Sequence, residues 1–192
     1  KIRQPVVLEG RDLHVNCSIG VSCYPDDGTD LQTLLRHADA AMYSAKQQGK
    51  GQYQFFTPAL NTAIEERMSL ESELRRAIHA EELSVHYQPK VDGNGRVCGF
   101  EALARWTSLE FGVISPVRFI PLAEETGLIQ QITDFVLMTA CREAASWSRR
   151  GFGPALTIAV NLSASAFKID DLPARIRTIL DETGLPGANS NW

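Results

Sequence analysis

The stretch Val97-Cys-Gly-Phe-Glu-Ala-Leu-Ala-Arg-Trp106 decides the fold of this chain. Its side chains alternate between two faces, which is the period of a β-strand. One face is apolar and carries Phe100, Ala102 and Ala104. The other face carries Glu101, Leu103 and Arg105. This pattern predicts a strand with one face against a core and the other available to a ligand or to solvent.

A second strand precedes this one in the sequence. Residues 84–91 alternate in the same way, and the segment Asp92-Gly-Asn-Gly95 separates the two strands. A short turn rich in glycine and asparagine between two alternating segments is typical of a β-hairpin. We therefore expect the two strands to pair antiparallel.

Helices alternate with a strand after the hairpin, which favours an α/β sheet or barrel with right-handed crossovers. Ser115 is a plausible N-cap of the first helix, with Pro116 at its first position. Pro121 is expected to break this helix, and Gly127 to end it. The later elements are a helix over 128–150, a strand over 157–163 and a helix over 172–183.

Upstream of the hairpin, the first 57 residues resemble part of a second α/β unit. A strand is predicted over 13–24, a helix begins after the N-cap Asp30 and ends at Gly49, and 52–56 forms a short strand. Two strands and one helix bury too little surface to be stable alone. We expect this segment to be the tail of a domain whose beginning is absent.

A charged helix is predicted over residues 59–82. Its apolar stripe consists of Leu60, Ile64, Met68, Leu74 and Ile78. A stripe this narrow suits a linker helix between domains, or one half of a dimer seam. A solvated surface helix fits the pattern equally well.

Composition and charge argue against some function classes. The 192 residues include 19 Lys and Arg against 23 Asp and Glu, for a formal net charge of −4. Binding to a nucleic-acid polymer or an anionic membrane would need clustered basic charge. No apolar stretch approaches the ~20 residues that span a bilayer. The cysteines Cys17, Cys23, Cys98 and Cys141 form no C-x-x-C pair, so we expect reduced thiols in a cytoplasmic protein.

Polar residues on one face of the predicted sheet form a candidate site. Alternation places Asn161 on the same face as Glu101, together with Arg105 and Gln88. Carboxylate and carboxamide oxygens suit a hard divalent cation such as Mg²⁺ or Mn²⁺. Glu101 and Arg105 lie ~13 Å apart along the strand, so a metal and a phosphate would satisfy both. Pattern alone leaves open that these residues are ordinary surface charges and a polar residue at a strand end.

Four blocks of sequence follow one another between residue 84 and the C-terminus. They are Tyr87-Gln-Pro-Lys90, Phe100–Trp106, Ser115–Ile129 and Val160-Asn-Leu-Ser163. In this order and at these separations they closely resemble the EAL domain family, phosphodiesterases that cleave the bacterial second messenger cyclic di-GMP. The resemblance implies an α/β fold, a TIM-like barrel whose first strand is antiparallel to the others.

A second set of blocks lies upstream. They are Val15–Val21, Tyr24–Gly28, Leu35–Lys46 and Gly49-Lys50. They resemble the closing section of a GGDEF (diguanylate cyclase) domain, which often precedes an EAL domain in bacteria. The two resemblances imply the end of a GGDEF-like domain over 1–57, a linker helix over 58–83 and the first half of an EAL domain over 84–192. Lys46 and Lys50 would be the remaining phosphate contacts of the cyclase.

The resemblance also implies roles for single residues. Glu101 and Asn161 match catalytic metal ligands of a two-metal Mg²⁺ or Mn²⁺ site. Contacts with the dinucleotide are implied for Gln88, Leu103, Arg105 and Pro116. The implied reaction is hydrolysis of one phosphodiester bond of cyclic di-GMP to the linear dinucleotide.

The resemblance also implies that part of the site is missing. An α/β barrel usually needs ~250 residues, and the later acidic motifs of the family do not occur here. We therefore expect a fragment that has no turnover by itself, cut from an active parent. The alternative is a catalytically silent receptor or regulatory module that binds cyclic di-GMP. A homodimer through the linker helix or the EAL domain, and a membrane anchor upstream, stay open.

Overall fold

The structure is a computed structural model that describes residues 6–8, 11–13, 16–49, 51–151, 156–164, 166, 171–186 and 190–191. The chain divides into two compact units, residues 1–69 and 70–192. Among the described residues, no helix is both long enough and apolar enough to cross a membrane. All four cysteines are free thiols, and only Cys141 is buried.

The first unit combines short strands with one long helix. Its elements are β1 (Val6–Leu8), β2 (Arg11–Leu13), β3 (Ile19–Val21), α1 (Leu31–Gln47) and β4 (Tyr53–Phe55). β1 and β2 pair antiparallel, whereas β3 and β4 pair parallel. Asp30 caps α1, because its carboxylate accepts a hydrogen bond from the backbone N–H of Thr33 at 2.9 Å.

The prediction of one strand over 13–24 is wrong. Leu13 ends β2, residues 16–18 are irregular, and only Ile19–Val21 forms β3. β3 pairs with β4 through these three residues, whereas β2 pairs with β1. Gly20 lets β3 pack directly on α1, since a Cβ there would clash with the backbone of Ala38 and Met42.

The core of the first unit is small. Ala40, Ala41 and Phe56 are buried, and Leu60 and Ile64 pack against them. The ring of His37 stacks on Phe56, with centroids 3.8 Å apart and planes within 3°. This cluster holds α1 against the chain that follows β4.

Helix α2 spans Pro58–His79, close to the predicted 59–82. The predicted apolar stripe is not continuous along it, because Met68 is 67% exposed. Leu60 and Ile64 belong to the cluster of the first unit, whereas Leu70, Leu74 and Ala77 are buried in the core of the second. One helix therefore supplies apolar residues to each unit through a different segment.

The second unit is built on a mixed sheet. Its elements are β5 (Leu83–Val91), β6 (Val97–Ser108), β7 (Gly112–Ile114), α3 (Pro116–Thr126), α4 (Ile129–Arg149), β8 (Thr157–Val160), α5 (Leu172–Thr183) and β9 (Ser190–Asn191). The strand order is β5-β6-β8-β9, with β7 also paired to β6. β5 and β7 run antiparallel to β6, whereas β8 and β9 extend the sheet in parallel. This confirms the α/β class and the antiparallel first strand; within the described ranges the sheet does not close on itself.

Helix α3 differs from its prediction at two places. It continues through Pro121 to Thr126 and ends at Gly127, which adopts a left-handed conformation with φ 76°. Pro121 lies on the exposed face of α3, where water can replace the backbone hydrogen bond that proline removes. Ser115 occupies the N-cap position, but its side chain makes no capping hydrogen bond.

The main core lies between the sheet and helices α2 to α5. Its largest fully buried side chains include Trp106, Phe119, Leu122, Ile132, Leu137 and Ile158. The rings of Trp106 and Phe119 meet edge to face, with centroids 5.8 Å apart. Ile158 and Val160 of β8 are buried as the alternation predicts, which directs the intervening residues to the other face.

Candidate functional site

Strand register brings the predicted polar residues together. Glu101 on β6 lies directly opposite Gln88 on β5 and beside Ala159 on β8. Asn161 follows β8 immediately, and its amide nitrogen donates a hydrogen bond to Oε1 of Glu101 at 2.6 Å. Residues that are 60 positions apart in the sequence thus meet at the end of one parallel strand pair.

The register of β6 and β8 depends on Gly99. Gly99 lies opposite Thr157, two residues before the Glu101–Ala159 pair. A Cβ on Gly99 would lie 2.5 Å from the carbonyl oxygen of Thr157, and the hydroxyl of that threonine is also in its way. The two strands can therefore approach only because residue 99 has no side chain.

A cleft of about 320 Å³ opens beyond the end of β8. Strand β6 continues past its last β8 partner, Ala102, so its next residues border the cleft without a strand on that side. Four residues singled out from the sequence line this cleft: Leu103, Arg105, Pro116 and Asn161. Glu101 is joined to it through its hydrogen bond with Asn161.

Arg105 is the predicted phosphate contact. It is half-buried, and its guanidinium donates a hydrogen bond to the carbonyl oxygen of Ala104 at 2.8 Å. Within the described ranges it forms no ion pair with an acidic side chain. Glu124 lines the same cleft from α3. The cleft therefore offers a guanidinium near one wall and the Glu101–Asn161 pair at its end.

The donor set fits part of a site for a hard cation. Glu101 and Asn161 both carry side-chain oxygens, the donor type that a hard cation prefers, and their hydrogen bond places the two side chains next to each other. Across the residues that the structure describes, no group of three or more His, Cys, Asp or Glu could hold a metal. The described residues thus provide two oxygen-bearing side chains rather than a complete cage.

The opposite face of the hairpin is aromatic. Tyr87 and Phe100 contact Trp147 of α4, with ring centroids 5.8 and 4.8 Å away. Burial, followed by the charge of Glu143, raises the pKa of Tyr87 to about 12. Gln88 and Glu101 follow these aromatic residues in sequence and so point to the cleft side of the sheet.

Lys46 and Lys50, the predicted phosphate contacts of the GGDEF-like segment, belong to the first unit. Lys46 is exposed in the last turn of α1. Lys50 lies outside the described residues. The predicted phosphate contacts of Lys46 and Lys50 therefore stay predictions.

Sequence reasoning missed a polar cluster on α2 and the hairpin. Arg76 forms ion pairs with Glu73 at 2.7 Å and with Glu82 at 2.5 Å. The Ser108 hydroxyl donates a hydrogen bond to Glu73 at 3.3 Å. Hydrogen bonds from Arg76, and to a smaller extent from Ser108, lower the pKa of Glu73. The i, i+3 spacing of Glu73 and Arg76 was a signal, but nothing local predicts the partner 35 residues away.

Comparisons with protein families match both parts of the chain. Residues 71–189 match the family described as EAL domain. Residues 1–52 match the family described as diguanylate cyclase, GGDEF domain.

Curated relatives match nearly the whole chain. The bifunctional diguanylate cyclase/cyclic di-GMP phosphodiesterase MucR of Pseudomonas aeruginosa is 42% identical over 94% of this chain and 26% of its own length. The cyclic di-GMP phosphodiesterase PdeR of Escherichia coli is 37% identical over 95% of this chain and 27% of its own length. The chain thus spans about a quarter of the length of these relatives.

A solved structure supports the similarity in three dimensions. The PaMucR phosphodiesterase in complex with c-di-GMP has a TM-score of 0.60 and 42% sequence identity. The match covers 64% of this chain and 49% of that chain.

Proposed function

This chain belongs to the EAL domain family, and on that premise we propose that the intact protein hydrolyses one phosphodiester bond of cyclic di-GMP to the linear dinucleotide. The observation that carries this proposal is the contact between Glu101 and Asn161 at the end of a cleft lined by Arg105. Relatives that match nearly the whole chain are named as cyclic di-GMP phosphodiesterases, which supports it.

In this proposal, Glu101 and Asn161 are ligands of a divalent cation, Mg²⁺ or Mn²⁺, in a two-metal site. When bound, such ions neutralise charge on the scissile phosphate and lower the pKa of a water molecule. The strand register holds the two side chains in place before any ion arrives, because they already share a hydrogen bond. Preorganised ligands lose little conformational freedom on binding.

The other site residues hold the dinucleotide. Arg105 would pair with a phosphate, since a guanidinium donates two parallel hydrogen bonds to phosphate oxygens. Leu103 and Pro116 line the cleft and would contact sugar and base surfaces. Gln88, opposite Glu101, would donate its amide to the ligand from the other strand. Holding the phosphate near the metal ligands is a large part of the rate enhancement in such reactions.

We further propose that the chain alone does not turn over. Mg²⁺ needs six ligands in near-octahedral geometry and gives up water reluctantly. Two oxygen-bearing side chains among the described residues are too few to hold two such ions firmly. The remaining ligands are then supplied by further residues of the intact protein.

The arrangement of segments belongs to the same proposal. Residues 1–57 would close a GGDEF-like domain with Lys46 and Lys50 as its phosphate contacts, residues 58–83 would form a linker helix, and residues 84–192 would begin the EAL domain. The free thiols support a reducing, cytoplasmic setting. A homodimer through α2 or the EAL domain is the arrangement we would test by light scattering.

The test is a Glu101→Gln variant of the intact protein. This change keeps the size and the hydrogen-bond partner but removes the ligand charge, so kcat is expected to fall by about 100-fold or more. Glu71→Gln is the matched control, because Glu71 forms an ion pair with exposed Arg75 on the surface of α2 and is not among the described residues that line the cleft. Product is measured as linear dinucleotide by chromatography with Mg²⁺ or Mn²⁺ present.

Two results would contradict the proposal. Hydrolysis by Glu101→Gln at the wild-type rate would remove the metal-ligand role. Binding of cyclic di-GMP by the wild-type protein without any hydrolysis would identify a receptor or regulatory module instead.

A further inference from the structure

We propose that Glu73 is a positioning residue for dinucleotide binding, acting through Ser108 on the β6–β7 hairpin that carries Arg105 and leads to Pro116. The inference rests on the proposed function, because it takes cyclic di-GMP as the ligand of the cleft. It assigns a role to a segment of α2 that touches neither the metal ligands nor the cleft.

Ser108 closes the turn of this hairpin with its side chain. Its hydroxyl oxygen accepts hydrogen bonds from the backbone N–H groups of Glu110 and Phe111, at 3.1 and 3.2 Å. Its single hydrogen is donated to Oε2 of Glu73 at 3.3 Å. Since a serine hydroxyl has one donor and two acceptor positions, all of its capacity is used. The side chain is almost fully covered, at 3% exposure of the residue.

The hairpin connects two walls of the cleft. Ser108 pairs with Gly112, and Trp106 pairs with Ile114. Arg105 precedes one side of this ladder and Pro116 follows the other, and both line the cleft. A shift of the turn therefore moves the predicted phosphate contact and the predicted base contact together.

Glu73 is itself held firmly on α2. Arg76 donates two hydrogen bonds to its carboxylate, at 3.1 and 2.7 Å. Arg76 also pairs with Glu82, whose side chain is only 9% exposed. Leu74 and Ala77, on the adjoining part of α2, are fully buried in the same core as Trp106. The carboxylate is thus fixed relative to the core, so it can serve as a fixed acceptor for Ser108.

The positioning role of Glu73 can be tested without disturbing the packing of α2. Removing the Glu73 carboxylate leaves the Arg76–Glu82 ion pair and the buried face of α2 in place. Ser108→Thr keeps a hydroxyl, whereas Ser108→Ala removes all three of its hydrogen bonds. Glu71→Ala is a matched control, because it removes a carboxylate from the same helix whose hydrogen-bond partner, among the described residues, is Arg75.

The experiment compares these variants in the intact protein by two measurements. Amide hydrogen exchange at Glu110 and Phe111 reports on the turn without any nucleotide. Steady-state kinetics with cyclic di-GMP report on how a change in this turn affects nucleotide binding. For Glu73→Ala and Ser108→Ala we expect exchange to rise and KM to increase about five- to tenfold. This is less than the roughly tenfold or more expected for losing a direct charge-assisted hydrogen bond to the ligand, because Arg105 and Pro116 are only displaced. We expect kcat to change less than about twofold, because Glu101 and Asn161 are untouched.

The outcomes distinguish this inference from the proposed function. Unchanged KM in Glu73→Ala would overturn the inference, even if exchange at the turn rises, and so would an equal change in Glu71→Ala. The inference would also be overturned if Ser108→Thr had a raised KM while amide exchange at Glu110 and Phe111 stayed at the wild-type rate. If the wild-type protein does not hydrolyse cyclic di-GMP, the proposed function fails, and its dissociation constant for the nucleotide then replaces KM as the deciding readout.

Discussion

The two units of this chain bury apolar surface very differently. In the second unit, a contiguous core surrounds large side chains such as Trp106 and Phe119, both fully buried. Among the described residues of the first unit, the buried cluster consists of Ala40, Ala41 and Phe56, with Leu60 and Ile64 packed against it. The candidate site thus lies in the unit whose described residues form the larger core.

Strand length explains much of the difference. β5 and β6 span nine and twelve residues, so many side chains reach the core from one sheet. β3 and β4 span three residues each. Ile19, Tyr53 and Phe55 of these short strands are exposed. Stability and site geometry are therefore expected to respond to mutation mainly in the second unit.

The largest contrast is expected between two phenylalanines. Phe119→Ala should destabilise the protein by about 3–5 kcal/mol, because it leaves a cavity beside Trp106. Phe55→Ala should cost less than about 1 kcal/mol, since this residue is 51% exposed. Urea unfolding followed by far-ultraviolet circular dichroism measures both, because helices occur in each unit. Equal losses would show that the exposed Phe55 contributes as much to stability as the buried Phe119, against this expectation.

A second contrast concerns nucleotide binding by two basic residues. Arg105→Ala should weaken cyclic di-GMP binding about 10- to 100-fold, through loss of a charge-assisted contact in the cleft. Lys46→Ala should leave it unchanged, because Lys46 lies on α1 and is not among the described residues that line the cleft. Titration calorimetry with the intact protein gives both dissociation constants. A larger effect of Lys46→Ala would place the binding site in the first unit.

Helix caps provide a smaller contrast, in which the first unit has the stronger interaction. Asp30→Ala should destabilise α1 by about 1 kcal/mol, because the carboxylate accepts a backbone hydrogen bond. Ser115→Ala should change the stability of α3 by less than about 0.5 kcal/mol, since no capping bond is made. Hydrogen exchange of the first turn of each helix separates the two effects. A similar loss in both would mean that Ser115 does cap α3.

The smallest effect at neutral pH is expected at Tyr87 of the second unit. Its pKa is raised to about 12 by burial and then by Glu143, above the ~10 of an unfolded tyrosine. Its contribution to stability is therefore complete below pH ~10 and is lost as pH rises toward 12. Tyr87→Phe should reduce the fall in Tm between pH 10 and 12. An identical fall in the variant would assign it to other groups, such as Cys141, whose pKa burial raises to about 11.

The sequence predicts the elements of the second unit well because their signals are local. Alternation places β5 and β6, and the helix over 172–183 has the bounds that were predicted. Asn161 and Glu101 share a face because both strands keep the period of two residues. The roles of Gln88, Leu103, Arg105 and Pro116 stay predictions, although three of them line one cleft.

Features set by distant partners were harder to predict. The prediction of a strand over 13–24 failed because Leu13 pairs within β1–β2, whereas Ile19–Val21 pairs with β4, 34 residues later. Pro121 suggested a break, but the helix tolerates it on an exposed face. The Glu73–Ser108 bond joins residues 35 positions apart and follows no motif. In each case a tertiary contact decided the outcome rather than a local preference.

Gly99 has a consequence for how sequences of this family are compared. It performs no chemistry, yet a single added methyl group would meet the backbone of Thr157 and separate β6 from β8. A homologue with alanine at this position could keep every ligand and substrate contact and still have no active site. A list of catalytic residues is therefore an incomplete guide to activity. An active homologue must also keep the close spacing between β6 and β8.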